Sequence, residues 1–130
     1  MTKLQALVKE FKDAAEGLDA VLKESKTEFI RDSAIKRFEL AFDLAWKTIK
    51  ASLEETGVNC FSPLGCFKEA FRQGLIDFED IWVEMVKTRN KTVHTYDEKL
   101  AEEVFASLPQ NFEAIKKLLL NIESAEKPRN

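Results

Sequence analysis

The chain has 130 residues, 45% of them hydrophobic and 33% charged, with 4 glycines and 3 prolines. That length suits one domain that buries about two-thirds of its unfolded surface without a staple, and so little glycine and proline favours helices over sheet or a disordered tail. A formal net charge of −3 excludes a protein that grips nucleic acid through its overall field, so any such contact has to be local.

Leu4, Leu7, Val8, Phe11, Ala15, Leu18 and Leu22 recur every three or four residues, with Lys3, Lys9, Glu10, Lys12, Asp13 and Glu16 on the other side. This is the pattern of an amphipathic helix. Ser25-Lys26-Thr27-Glu28 has capping-box spacing and opens the longest element, from about 28 to 56, closed by Gly57. Its apolar positions (Ile30, Ala34, Ile35, Phe38, Ala41, Phe42, Ala45, Trp46, Ile49, Leu53) make a stripe too wide for one neighbour. It is expected to be the central helix. Phe38, Phe42 and Trp46 read as core packing rather than a stacking platform for bases, since nothing between them is basic enough to hold a strand.

Ser62-Pro63 signals a helix start, with serine as N-cap and proline in the first turn. That helix carries Cys66, Phe67, Ala70 and Phe71 and stops at Gly74. Asp77 is expected to cap the next, with Glu79 and Asp80 in its first turn, where the helix dipole favours negative charge. Phe78, Ile81, Trp82, Met85 and Val86 would be its buried face. The last element runs from about 97 to 124 with Ala101, Val104, Phe105, Leu108, Phe112, Ile115, Leu119 and Ile122 inward, and a break or kink is expected at Pro109. A polar tail follows from about 124. No strand pattern or internal repeat appears. The reading is therefore a single all-α domain over residues 1–130: an up-and-down antiparallel helical bundle, four-helix-bundle-like, with about five helices.

Cys60 and Cys66, with one histidine in the chain, are too few for a structural zinc site and read as idle thiols in a reducing cytosol. No metal or cofactor is expected. Met1 to Gln5 leads into charged residues without a signal-peptide pattern, and no apolar run approaches the ~20 residues of a membrane helix. A soluble cytoplasmic protein is expected.

Residues 89–96 read Arg-Asn-Lys-Thr-Val-His-Thr-Tyr and hold the only histidine, His94, and the only tyrosine, Tyr96. An arginine can fork a phosphate and a histidine can move protons near neutrality, which together suit phosphodiester or nucleotide chemistry without a metal. Continuing the buried face of the fourth helix puts Arg89 where an apolar residue belongs. Its guanidinium must pair with a carboxylate such as Glu39, reach water, or face a cleft. On a regular helix, Arg89 and His94 lie about 140° apart around the axis and about 7.5 Å along it. Convergence needs the helix to end near Lys91–Thr92, or a second protomer to supply one group. Asn90 and His94, four apart, share a face. Lys87 and Lys91 read as a solvated face.

Arg89, His94 and Tyr96 in this spacing resemble the R-x4-H-x-Y signature of HEPN-domain proteins of the HepT type. Arg31-Asp32-Ser33-Ala34-Ile35-Lys36-Arg37-Phe38-Glu39 with Leu44-Ala45-Trp46-Lys47 resembles the branch called nucleotidyltransferase substrate-binding proteins. So do Ser62-Pro63, Gly74-Leu75-Ile76, Trp82, Arg89-Asn90 and His94-Thr95-Tyr96-Asp97. The likeness runs from about residue 4 to 122. It implies a HEPN helical bundle, a homodimer and a minimal nucleotidyltransferase as partner, possession of RNA or a nucleotide as ligand, and a toxin–antitoxin pairing. His94 would be the general acid/base of RNA cleavage, Arg89 would stabilise the phosphorus centre, Asn90 would orient either, and Tyr96 would accept AMP that silences the nuclease. A non-catalytic, substrate- or nucleotide-binding subunit of a two-component nucleotidyltransferase is the other function the resemblance allows.

Overall fold

The computed structural model describes residues 1–126. Helix α1 spans Lys3–Leu22, α2 Glu28–Glu54, α3 Pro63–Arg72, α4 Asp80–Lys91 and α5 Glu98–Glu126; a single 3-10 turn, Thr92–His94, separates α4 from α5. The expected polar tail falls partly on residues 127–130, which lie outside the described residues.

Long-range pairings fix the helix directions. Lys3 at the start of α1 meets Glu54 at the end of α2 (3.9 Å), so these two run antiparallel. Arg31 near the start of α2 meets Glu98 at the start of α5 (2.6 Å), so α2 and α5 run the same way. Asn121 near the end of α5 donates to the Leu75 carbonyl just ahead of α4 (2.9 Å), so α4 returns against α5. The result is the expected up-and-down bundle of α1, α2, α4 and α5, with α3 a short helix packed on α2 and α4. As expected, α2 is central, packing on α1, α3 and α5. At 27 residues it is about 40 Å long. Phe11, Leu18, Phe38, Ile49, Phe67, Met85, Leu108 and Ile115 are fully buried along the bundle axis. Phe38, Phe42, Phe67 and Trp82 form a continuous aromatic row with centroid spacings of 6.0, 5.6 and 4.7 Å. Core packing, not base stacking, is their role.

Local signals explain most of the ends. Thr2 and Gln5 form a reciprocal capping box on α1, a signal passed over in the sequence. The α2 cap is Thr27, whose hydroxyl accepts from the Ile30 N–H (3.0 Å); Ser25, two residues earlier, does not cap it. Ser62 caps α3 as expected, accepting from the Gly65 N–H. Gly57 and Gly74 take φ of +80° and +79°. Each lets the following N–H reach back five residues, Val58 to Leu53 and Leu75 to Ala70, closing α2 and α3.

Four expectations are corrected. Asp77 does not cap α4, which begins at Asp80 without a side-chain cap because the Trp82 and Val83 N–H groups both bond to the Glu79 carbonyl. Phe78 therefore precedes the helix and is 75% exposed. Pro109 does not break α5. Pro109 is exposed, so its missing donor falls on the solvent side, while Leu108 and Ile115 anchor the helix on either side of it. Cys60 and Cys66 are not free thiols but a disulfide, since the loop before α3 brings their Cα atoms to 5.0 Å. Among the described residues no helix is long and apolar enough to cross a membrane.

Candidate functional site

Helix α4 ends at Lys91, the place where an end would let Arg89 and His94 of one chain approach one another; a second protomer supplying one of them is the other route. Thr92 then begins the 3-10 turn. Its hydroxyl donates to the Arg89 carbonyl (2.7 Å) and its own N–H reaches the same oxygen, tightening the last turn of α4. Thr95 donates to the Thr92 carbonyl (3.0 Å), and the Asp97 N–H to the His94 carbonyl (3.1 Å). Asp97 in turn accepts from the Leu100 N–H, capping α5. The motif thus rides on a short turn pinned at both ends.

Arg89 points back at α2. Its Nε and one terminal nitrogen donate to the two carboxylate oxygens of Asp43 (3.4 and 3.5 Å), and the other terminal nitrogen donates to the Thr92 hydroxyl (3.2 Å). Glu39, the carboxylate suggested by the sequence, stands further off at 4.0 Å. The Arg89 side chain keeps 27% of its exposure and borders an open cleft of about 460 Å³. Ser33, Lys36, Arg37, Glu39, Leu40 and Asp43 of α2 form the rest of its lining. Three cations and two carboxylates give that wall a slight positive excess, in contrast to the whole chain.

His94 and Tyr96 are both exposed, Tyr96 to 83%, and their rings stand edge to face with centroids 6.0 Å apart. Asn90 is exposed and makes no side-chain hydrogen bond among the described residues. Lys87 and Lys91 are exposed, as expected of a solvated face. Within one chain, therefore, His94 and Tyr96 are neighbours, while the bonds of Arg89 go to α2 and Thr92. No hydrogen bond joins Arg89 to His94 among the described residues.

Two features escaped the sequence. Thr92 and Asp43, which hold Arg89, carry no motif signal; Thr92 stands three residues from Arg89, while Asp43 lies on α2 and meets it only through tertiary packing. Arg31 is 3% exposed and donates to Asp32 (3.0 Å), Glu98 (2.6 Å) and Glu102 (3.1 Å), and Lys26 also pairs with Glu102. Its place in the apolar stripe beside Ala34 and Ile35, with Glu98 and Glu102 one helical turn apart, was a readable signal. Bonds to Glu98 above all, then to Glu102 and Asp32, hold the guanidinium firmly protonated. Arg31 draws the Glu98 carboxyl below its ordinary range, and Lys26 followed by Arg31 does the same for Glu102. This network ties the start of α5, immediately after the motif, to the start of α2.

Known proteins match this arrangement. A Thermus thermophilus protein of known crystal structure is 33% identical, superposes with a TM-score of 0.81, and covers 86% of this chain and 98% of its own. A Haemophilus influenzae structure described as the substrate-binding domain of a nucleotidyltransferase superposes at 0.77 with 24% identity, covering 93% of this chain and 99% of its own; it attests the fold. A probable ribonuclease HepT of Haemophilus influenzae is 35% identical over 81 residues, 58% of this chain and 55% of that relative, so the chain spans about half of its length. The family model described as nucleotidyltransferase substrate binding protein like matches residues 2–124. The chain belongs to that family of nucleotidyltransferase substrate-binding-like proteins.

Proposed function

We propose that this chain is the HEPN-type partner of a minimal nucleotidyltransferase, and that it is the RNase-toxin member of the pair, silenced by transfer of AMP to Tyr96. What supports this reading most is the end of α4 at Lys91, after which the chain leaves the helix axis and carries the exposed His94 and Tyr96 as neighbours, five and seven residues past an arginine that borders a cleft. The kinship with a probable ribonuclease HepT and the family's link to nucleotidyltransferases support it further.

The chemistry needs no metal. A neutral His94 takes the proton of a ribose 2′-hydroxyl, the 2′-oxygen attacks the adjacent phosphorus, and the bond from phosphorus to the 5′-oxygen breaks. A protonated imidazole then supplies the proton to the leaving 5′-oxygen. Products are a 2′,3′-cyclic phosphate and a 5′-hydroxyl. Arg89 offsets charge that grows on the non-bridging oxygens, and Asn90 orients the reacting groups. One imidazole cannot be base and acid in the same step, so a homodimer with two facing motifs completes the site. AMP on the phenol of Tyr96, whose ring centroid lies 6.0 Å from that of His94, adds bulk and negative charge beside the imidazole, which blocks an RNA phosphate.

The test is RNA cleavage by the partner-free chain in excess chelator. Cyclic-phosphate ends are expected from wild type, none from His94→Ala or Arg89→Ala, and none after the partner has modified Tyr96. Wild type that leaves RNA intact with Tyr96 unmodified overturns the nuclease reading. One observation favours a second function, a non-catalytic subunit that presents a nucleotide or other substrate to the transferase. Asp43 and Glu39 already surround Arg89, as in a structural ion pair. That function predicts a stable complex with the transferase and no loss of any RNA-directed property in His94→Gln.

A further inference from the structure

Thr92 is one of four polar or charged residues buried in the described part of the chain, at 5% exposure, and both halves of its hydroxyl are in use. The proton goes to the Arg89 carbonyl at 2.7 Å and a lone pair accepts from the Arg89 guanidinium at 3.2 Å. One side chain therefore joins the Arg89 fork to the Arg89 backbone at the residue where α4 gives way to the turn that carries His94. With Asp43 on the opposite edge, three of the five guanidinium N–H groups are committed, and two are left for the cleft.

We infer that Thr92 is a positioning residue: its hydroxyl sets the direction of the Arg89 guanidinium relative to the His94 turn, so that the two uncommitted N–H groups meet a phosphate. Asp43 fixes the far side of the same fork. The inference rests on the cleavage reading for its kinetic consequence, but not for its geometric one. A misdirected arginine loses transition-state stabilisation more than ground-state binding, so the damage belongs in kcat rather than KM.

Thr92→Val keeps the buried shape and deletes the hydroxyl, whereas Thr92→Ser keeps the hydroxyl and deletes a methyl. A small displacement of a catalytic group costs on the order of 100-fold, so Thr92→Val is expected to lower kcat by roughly 10- to 100-fold with KM within about threefold. Thr92→Ser is expected to restore most of it. A mere loss of folded protein would lower the amount of active enzyme in both variants and would track their thermal stability. Equal kcat in wild type and Thr92→Val overturns the inference. If wild type cuts no RNA, the cleavage reading has failed, and NMR of the arginine Nε–H groups decides the positioning claim instead. The Arg89 signal, assigned by its loss in Arg89→Lys, should show slower rotation about the Nε–Cζ bond in wild type and Thr92→Ser than in Thr92→Val, where Asp43 alone still holds the fork. A rotation rate unchanged in Thr92→Val overturns it.

Discussion

Arg31 is a buried cation held by three carboxylates, those of Asp32, Glu98 and Glu102. Because Glu98 and Glu102 lie below the ordinary carboxyl range when folded, the unfolded chain binds protons more readily at these sites. Their contribution to stability is therefore complete above about pH 4.3, the ordinary glutamate value, and is lost as pH falls through the lowered folded values. Urea midpoints measured between pH 7 and pH 3 should fall steeply at the acid end in wild type and less steeply in Arg31→Met. An unchanged acid limb in Arg31→Met would show that other carboxylates dominate. The same residue shows how sequence reading goes astray. Arg31 and Arg89 both occupy apolar positions of their helices, yet only Arg89 stood near a histidine and so attracted a role.

At the level of the helices, patterning was legible wherever burial is one-sided, as in α1 and α3. Cap chemistry was legible where a hydroxyl stood beside a proline, as at Ser62. It failed where two hydroxyls competed: Ser25 has the box spacing to Glu28, yet Thr27 supplies the cap without a carboxylate partner, and the half-buried Ile30 and buried Arg31 follow it in the first turn. Asp77 failed for a similar reason, because the buried Ile76 ties down the chain ahead of α4 and delays its first turn. The break expected at Pro109 does not occur, because a proline's effect on a helix depends on tertiary packing that its neighbours do not announce. Alanine at that exposed position restores a donor for the Phe105 carbonyl. Pro109→Ala should stabilise the protein by about 1–3 kcal/mol in urea unfolding, and a loss of stability would mean that α5 is adapted to the proline. The disulfide between Cys60 and Cys66 closes a short loop onto the first turn of α3. Reduction should cost up to about 2 kcal/mol by loop entropy while leaving the bundle folded, since the core lies elsewhere; identical urea midpoints with and without reductant would contradict this.

The whole molecule is a bundle whose α2 holds the motif segment at two points, Asp43 before it and Arg31 after it. That arrangement was out of reach of a motif scan, since Asp43 and Arg31 lie on one helix, at positions that gain meaning only when α4 and α5 pack on it. Arg89, His94 and Tyr96 stand out in the sequence as candidates because uncommon residue types lie together, and α4 ends between Arg89 and His94. How the guanidinium would turn was not legible. It follows from Thr92, a residue of no distinctive chemistry in isolation. The central claim is that two copies of the motif act on one phosphate, one imidazole taking a proton as the other gives one. Dimers reassembled at random from wild type and His94→Ala test it most directly. If both imidazoles serve one site, cleavage falls with the square of the wild-type fraction, to about a quarter in an equal mixture. Activity falling in simple proportion, to about half, would mean that each chain works alone and would contradict the claim.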